Sequence, residues 1–140
     1  MSHPEHKHYE YLIEKFEHKE KIIRLGFVPN EDISEVMNLA SVYVQPSYYE
    51  GFGLSVVHAF ACGTPVVVSR TNALTEIADG AALVADPKSP EDMAEKIMEI
   101  LKNEKTKKQL IDKGRKRVKD FSWEKTSENL LKVYQEVINS

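Results

Sequence analysis

A short polar loop with two glycines, PSYYEGFG over residues 46–53, carries the residue types best suited to binding chemistry. It separates an apolar run ending at Gln45 from a second apolar run beginning at Leu54. Gly51 and Gly53 allow the backbone to adopt a positive φ and to approach a ligand closely. The first turn of the helix predicted behind the loop presents unpaired N–H groups and the positive end of its dipole. Both features favour an anion such as phosphate.

Glu50 lies beside this expected phosphate site, where a carboxylate would repel the anion unless it served another group. Sugar hydroxyls are suitable partners, because a carboxylate can accept two of them at once. The alternative is that the two glycines form only a tight turn and that Glu50 is a solvated or helix-capping residue. The loop is not a Walker motif, since no Lys-Ser/Thr follows, and it lacks the third glycine of a dinucleotide fingerprint.

Other residues capable of chemistry give weaker indications, and we expect neither a metal nor a cofactor. His3, His6 and His8 cluster near the N-terminus, where a floppy polar end is a simpler expectation than a metal site. Cys62 is the single cysteine, which excludes an internal disulfide, and its apolar surroundings predict a small core residue. The lysine-rich stretch 102–119 alternates with acidic and apolar residues and is expected to form a solvated helix face.

Composition and charge restrict the class of protein. The chain has 140 residues, of which 41% are apolar and 29% charged, as in ordinary globular domains. Its formal net charge of −3 indicates no basic surface for nucleic acid. No apolar run approaches the roughly 18–20 residues that cross a bilayer, and the charged N-terminus lacks the apolar region of a signal peptide. We therefore expect a cytoplasmic protein with no nucleic-acid partner.

The elements before and behind the loop alternate between helices and strands. Apolar positions at helical spacing predict a helix over about residues 6–18, and the run IIRLGFV predicts a strand over Ile22–Val28. Asn30 is a candidate cap for a further short helix. A second strand is predicted over Val42–Gln45 and a buried helix over Leu54–Ala61. At least one of the tyrosines in the loop is expected to pack.

The second half of the chain continues the alternation. The β-branched run at Pro65–Ser69 predicts a strand buried on both faces. A short helical turn over Thr75–Ala78 and a fourth strand over Ala82–Ala85 follow. Three further helices are predicted, with a cap at Ser89, a break or weak point at Gly114 and a cap at Ser122, respectively.

This order predicts an α/β fold with a Rossmann-like parallel sheet and flanking helices. Ligands in such sheets bind at the carboxyl ends of the strands, where loops enter helices. That rule selects the positions after Val28, Gln45 and Ser69.

The run PSYYEGFGLSVVHAFACGTPVVVS resembles the signature of the GT-B retaining glycosyltransferases of family 4, also called glycosyl transferases group 1. The resemblance continues upstream in IIRLGFVPNEDISEVMNLASVYVQPS. Downstream it extends through LTEIADG, LVADPKSPEDMAEKI and FSWEKTSENLLKVY. It implies the C-terminal, donor-binding half of a two-domain enzyme that uses a nucleotide-diphosphate sugar linked to UDP, GDP or ADP.

The resemblance assigns roles to individual residues through the family motif Glu, seven residues, Glu. Glu50 matches the first glutamate, which implies contact with hydroxyls of the transferred sugar. The turn formed by Gly51, Phe52, Gly53 and Leu54 matches the segment whose backbone meets the sugar and the diphosphate.

Three other positions match less closely. His58 replaces the second glutamate, which holds the ribose in the family; an imidazole could bond one ribose hydroxyl, or be a satisfied core histidine. Phe27, Val28 and Pro29 match the loop that lies against the nucleobase, although a plain strand end is the alternative. Thr75 and Glu76 resemble a downstream loop near the donor, where Glu76 is expected to cap the short helical turn, with ligand contact as the alternative.

The resemblance also implies parts that this sequence does not contain. They are two further strands, a loop supplying Arg and Lys to the diphosphate, and the N-terminal acceptor domain. We therefore interpret residues 1–140 as a single partial GT-B C-terminal domain, inactive alone. The full-length enzyme would be cytoplasmic or peripheral at the inner membrane.

Two functions follow as hypotheses. One is the donor-binding portion of a retaining glycosyltransferase that moves a sugar to an acceptor without Ser, Cys or metal chemistry. The alternative is a non-catalytic binding or assembly module derived from the same fold. Unpaired strand edges and uncovered apolar surface predict self-association, most simply as a homodimer. The alternative is that the N-terminal helix, residues about 6–18, folds over the gap left by the missing strands and keeps the chain monomeric.

Overall fold

The computed structural model describes residues 4–139, with only the backbone described for residues 4–8. Helices and strands alternate throughout this part, and 3₁₀ turns occupy Lys19–Lys21 and Val118–Asp120. The strands are β1 (Tyr43–Gln45), β2 (Val66–Ser69) and β3 (Leu83–Ala85). The helices are α1 (Pro4–Lys15), α2 (Ile33–Leu39), α3 (Leu54–Cys62), α4 (Asn72–Ala78), α5 (Pro90–Lys102), α6 (Glu104–Arg117) and α7 (Trp123–Ile138).

The three strands form a parallel sheet in the order β1-β2-β3. Tyr43 pairs with Val66, and Val67 pairs with Leu83. All residues of the central strand β2 are buried, as its run of β-branched residues predicts. The sheet with its flanking helices confirms the predicted fold class.

Side chains of β2 alternate between two apolar layers, as the period of a strand requires. Val66 and Val68 pack with Phe60 of α3 in one layer, to which α4 also contributes. Val67 packs with Ile100 of α5 in the other layer. Each such fully buried side chain stabilises the fold by about 1.5–3 kcal/mol. The central strand is therefore fixed from both sides.

Helix α6 is continuous through Gly114, so the predicted break there is wrong. A Cβ at Gly114 would lie 2.7 Å from Cδ1 of Phe60. The glycine allows α6 to approach α3 closely instead of interrupting the helix.

Basic side chains of α6 stabilise the C-terminal end of α4 and the turn that follows it. Arg117 donates from Nε to the carbonyl of Ile77 at 3.0 Å and from Nη2 to the carbonyl of Glu76 at 2.9 Å. Lys113 donates from Nζ to the carbonyl of Gly80 at 3.2 Å. Cations at the last carbonyls of a helix satisfy unpaired acceptors and complement the dipole. The expectation of a solvated lysine-rich face is therefore only partly correct.

The strand predicted over Ile22–Val28 does not form, and the described residues contain three strands instead of four. The segment is a loop in which Gly26 has a φ of +67°. The side chains of Ile23, Leu25 and Phe27 are exposed because no neighbouring strand pairs with this segment. The apolar residues predicted a strand, but a strand also needs a neighbouring strand to hydrogen-bond with, and this segment has none within the described residues.

Helix starts were predicted with mixed success. Ser89 and Ser122 accept hydrogen bonds from the backbone N–H of the third residue beyond them, as expected for caps. Asn30 does not cap α2, which begins at Ile33 and has Asp32 as its N-cap residue. Helix α4 begins at Asn72, ahead of the predicted turn. Among the described residues, no helix combines the length and apolar character that a membrane crossing requires.

Candidate functional site

The candidate site lies where the carboxyl ends of β1 and β2 meet, at the loop between β1 and α3. Ser69 ends β2 and is fully buried. Its hydroxyl donates to the carbonyl of Gln45 at 3.3 Å and to the carbonyl of Ser47. The central strand therefore fixes the start of the loop, at the position that α/β sheets commonly use for ligands.

Glu50 belongs to a small hydrogen-bonded cluster. Its Oε1 accepts from Nε2 of Gln45 at 2.7 Å and from Oγ of Ser47 at 2.8 Å. The same Gln45 amide donates to the Ser47 hydroxyl at 2.8 Å, which closes a triangle. Glu50 is partly buried and does not cap α3, whose N-cap is Gly53. Glu50 is therefore neither a cap of α3 nor a fully solvated side chain.

Tyr43 connects this cluster to the strand. Its hydroxyl donates to Oε1 of the Gln45 side chain. Burial raises the pKa of Tyr43, a hydrogen bond with Ser55 opposes this rise, and the negative charge of Glu50 adds to it. Tyr43 therefore stays protonated and keeps its donor. Sequence reasoning missed Tyr43, Gln45 and Ser47; their polar character at a strand end, next to Glu50, was the available signal.

The two loop glycines differ. Gly53 is buried with a φ of +104°, and a Cβ there would lie 2.9 Å from Cδ2 of Leu74. Gly51 has no positive φ, contrary to expectation, and a Cβ there would meet nothing within 4 Å. Gly53 thus shapes the turn against α4, whereas Gly51 borders open space.

The first turn of α3 presents free donors next to Gly53. The carbonyl of Gly53 accepts from the N–H groups of Val56 at 2.9 Å and Val57 at 3.4 Å. The N–H groups of Leu54 and Ser55 make no hydrogen bond within residues 4–139. Unpaired amides at the positive end of a helix dipole suit an anionic group such as a phosphate.

A cleft of about 400 Å³ runs from this turn towards α2. Val28, Leu54, Ser55 and His58 line it together with residues of α2. His58 is exposed, so the core-histidine alternative is wrong. The structure therefore brings one residue of the 27–29 loop, the start of α3 and His58 to the same cavity.

The other residues of the 27–29 loop do not line this cleft. Phe27 is 90% exposed, and Pro29 is partly buried. Tyr48 and Tyr49 are 73% and 86% exposed, so the expectation that at least one of them packs is wrong.

Phe52 joins the site to the start of α7. Its ring meets Phe121 edge-on with centroids 5.9 Å apart. Phe52, His58 and Trp123 line a second cleft of about 460 Å³ between α3 and α7. The exposed side of α3 is thus bordered by two cavities, both of which include Leu54 and His58.

Residues considered for other chemistry lie elsewhere. Cys62 is partly buried, and its Sγ donates to the carbonyl of Ser34 at 3.8 Å. Glu76 is exposed and does not cap α4, whose N-cap is Thr71, so that expectation is wrong. Within the described residues, no group of three or more His, Cys, Asp or Glu could hold a metal. His3 and the side chains of His6 and His8 lie outside the described part.

Comparisons with known proteins agree with one another. A family model described as glycosyl transferases group 1 matches residues 2–117. The chain is 35% identical over 124 residues to the O-antigen chain mannosyltransferase B of Escherichia coli, covering 89% of this chain and 32% of that protein. It is 39% identical over 115 residues to an uncharacterised glycosyltransferase of Methanocaldococcus jannaschii, covering 81% and 33%, respectively.

Two solved structures share the fold. The sucrose-phosphate synthase of Thermosynechococcus elongatus superposes with a TM-score of 0.86 and 29% identity, covering 96% of this chain and 35% of that one. The C-terminal domain of a glycosyl transferase group 1 family protein from Francisella tularensis superposes with a TM-score of 0.73 and 24% identity, covering 84% and 64%. The chain spans about a third of the length of the curated relatives named above.

Proposed function

Because the chain belongs to the glycosyl transferases group 1 family, we propose that it is the donor-binding portion of a retaining glycosyltransferase. It would bind a nucleotide-diphosphate sugar linked to UDP, GDP or ADP and present the sugar to an acceptor. The observation that carries the proposal is the free N-terminal turn of α3 next to an oriented carboxylate, Glu50. A phosphate needs hydrogen-bond donors and a sugar hydroxyl needs an acceptor, and this loop offers both kinds of group.

The diphosphate would lie at the amides of Leu54 and Ser55, with the open space at Gly51 allowing close approach. Stabilising the charge that develops on the leaving diphosphate is how such a site would contribute to transfer. The carboxylate of Glu50 would accept hydrogen bonds from sugar hydroxyls. Phe52 and Gly53 would complete the turn around the sugar.

The nucleoside would occupy the cleft beside α2. His58 lines it and would bond one ribose hydroxyl, since a neutral imidazole offers one donor and one acceptor. Val28 lines the same cleft, and Phe27 and Pro29 adjoin it in sequence. These three residues would border the nucleobase.

The remaining parts of the reaction would come from elsewhere in a longer protein. An acceptor domain would bring the acceptor hydroxyl to the sugar, and a basic loop would neutralise the diphosphate. We propose no cofactor and no metal for this portion. The names of two relatives specify mannosyl transfer, so mannose is among the sugars to test.

A binding or assembly module is the second candidate. It is favoured by the exposed apolar residues of α7, including Leu131, Val133 and Tyr134, which suit a protein partner. Nucleotide binding separates the two candidates, since an assembly module has no need of it.

Replacement of Glu50 by Gln tests the sugar role. Glu50→Gln should weaken binding of a nucleotide sugar by about tenfold or more and leave the bare nucleotide diphosphate nearly unchanged, because a hydrogen bond to a charged group contributes about 1.5–3 kcal/mol. Glu99→Gln is the matched control, an exposed glutamate on α5 on the opposite face of the sheet. Calorimetric titration of both ligands gives the two affinities. Equal losses for both ligands would contradict the role of Glu50.

A further inference from the structure

We propose that Gln45 and Ser47 are positioning residues that aim the Glu50 carboxylate at the donor sugar. This inference rests on the proposed function and adds the residues that set its sugar selectivity. Gln45 and Ser47 both donate to the same oxygen, Oε1, at 2.7 and 2.8 Å. The other oxygen, Oε2, has no hydrogen bond within residues 4–139. Oε1 of the carboxylate is therefore held by the protein, and Oε2 is available to a ligand.

Each positioning residue is itself held. The hydroxyl of Tyr43 donates to Oε1 of Gln45, so the amide nitrogen of Gln45 faces Ser47 and Glu50. The hydroxyl of buried Ser69 donates to the carbonyl of Ser47. The orientation of Glu50 is therefore determined by residues on two strands of the sheet.

This arrangement affects selectivity more than overall affinity. Fixing a glutamate side chain in one orientation costs rotamer entropy. If the protein has already fixed the side chain, ligand binding does not incur this cost. An ionised carboxylate only accepts hydrogen bonds, so the benefit is confined to ligand groups that donate to Oε2. A sugar hydroxyl donates, whereas a diphosphate does not. The effect of Gln45 and Ser47 should accordingly appear only when a sugar is attached.

The test is a double-mutant cycle between the positioning residues and Glu50. Gln45→Met and Ser47→Ala are made singly, each in the wild-type chain and in Glu50→Gln. The probes are UDP and UDP-glucose, GDP and GDP-mannose, and ADP and ADP-glucose, titrated by NMR so that weak binding is measurable. Gln135→Met on the exposed face of α7 is the matched control.

We expect each single variant to reduce the preference for sugar nucleotide over bare diphosphate by about three- to tenfold, while affinity for the bare diphosphate stays within about twofold. In the Glu50→Gln background the same changes should have no further effect. A full effect in that background, or an equal loss for the bare diphosphate, would overturn the positioning role.

Two further measurements cover variants that fail to fold. Tyr43→Phe leaves Gln45 and Ser47 intact but frees the Gln45 amide, so it should lower the sugar preference in the same direction. In the ligand-free chain, the side-chain amide resonances of Gln45 should shift in Glu50→Gln and not in Glu99→Gln. Unshifted Gln45 resonances would contradict the contact on which the inference rests.

Different results would contradict the proposed function and the positioning role. A wild-type chain that binds none of the bare diphosphates would contradict the proposed function, and with it the positioning role. A chain that binds diphosphate but keeps its sugar preference in Gln45→Met and Ser47→Ala would contradict the positioning role alone.

Discussion

Gly51 and Gly53 are two residues apart, yet the surrounding structure uses them differently. At Gly53 the φ of +104° and the approach of Leu74 both exclude a side chain. At Gly51 neither constraint exists, and the missing side chain leaves space at the surface. The first is a requirement of the fold, whereas we attribute the second to the proposed ligand.

Alanine at each glycine should separate these requirements. Gly53→Ala should lower the free energy of unfolding by about 1–3 kcal/mol, through backbone strain and the clash with Leu74. Gly51→Ala should change it by less than about 0.5 kcal/mol, as expected for an open surface position, while weakening nucleotide-sugar binding. Urea unfolding and calorimetric titration measure the two effects. An undiminished affinity in Gly51→Ala would indicate that the ligand does not approach this backbone.

His58 offers a test in which binding should improve. Because His58 is exposed and lines the α2 cleft, His58→Glu restores the carboxylate of the family motif without burying a charge. We expect nucleotide affinity to rise by about three- to tenfold, from a second hydrogen bond to the ribose, with a nearly unchanged melting temperature. Unchanged affinity would place position 58 outside the nucleotide site, and a large loss of stability would contradict its exposure.

Glu50 and Gly53 could be selected from the sequence because they lie in one loop in front of a predicted helix, whereas His58 was selected through the resemblance to the family motif. The polar residues at the strand end were visible in the sequence, but their contacts with Glu50 could not be predicted. Its members Gln45 and Ser47 meet Glu50 only because the loop folds back over the strand ends. That path depends on the buried hydroxyl of Ser69, which belongs to another strand.

At the scale of elements, local signals predicted local structure well. Ser89 and Ser122 cap their helices through residues only three positions away, and the apolar run of β2 indicates burial on both faces. The segment Ile22–Val28 has comparable apolar character but forms no strand. A strand requires a partner, which is a non-local condition that no single segment encodes.

Gly114 shows the same limit for helices. Helix propensity predicts weakness at a glycine, whereas the contact with Phe60 explains why a larger residue does not fit. Gly114→Ala should therefore destabilise the chain by about 1–3 kcal/mol in spite of its better helix propensity. Ser127→Ala, at an exposed position of α7, is the control. Thermal and urea unfolding provide the measurement, and a stabilised Gly114→Ala would mean that α6 and α3 are not in close contact.

At the scale of the molecule, much apolar surface lies outside the core. Trp123 and Ile138 at the two ends of α7 are each 81% exposed. Tyr9 and Leu12 of α1, and Phe16 directly after it, are about half exposed or more, so α1 does not cover the sheet in the way that would keep the chain monomeric. Exposed apolar surface of this extent favours association.

We therefore predict that the isolated chain self-associates, most simply as a two-fold dimer through a sheet edge or α7. Light scattering at several concentrations should show a mass that rises towards twice that of the monomer. Leu130→Lys should return it towards the monomer if α7 forms the interface, whereas Gln135→Lys on the same helix should not. A monomer mass across the whole range, with cooperative melting, would contradict self-association.

We expect a nucleotide diphosphate to bind at the start of α3, and NMR titration of the wild-type chain with UDP, GDP and ADP tests this expectation. At least one diphosphate should shift the backbone amide resonances of Gly53, Leu54 and Ser55, while amides of α5 on the opposite face of the sheet stay unchanged. Saturable shifts confined to these residues would support the anion site. The absence of any shift near Gly53 with all three diphosphates would contradict it.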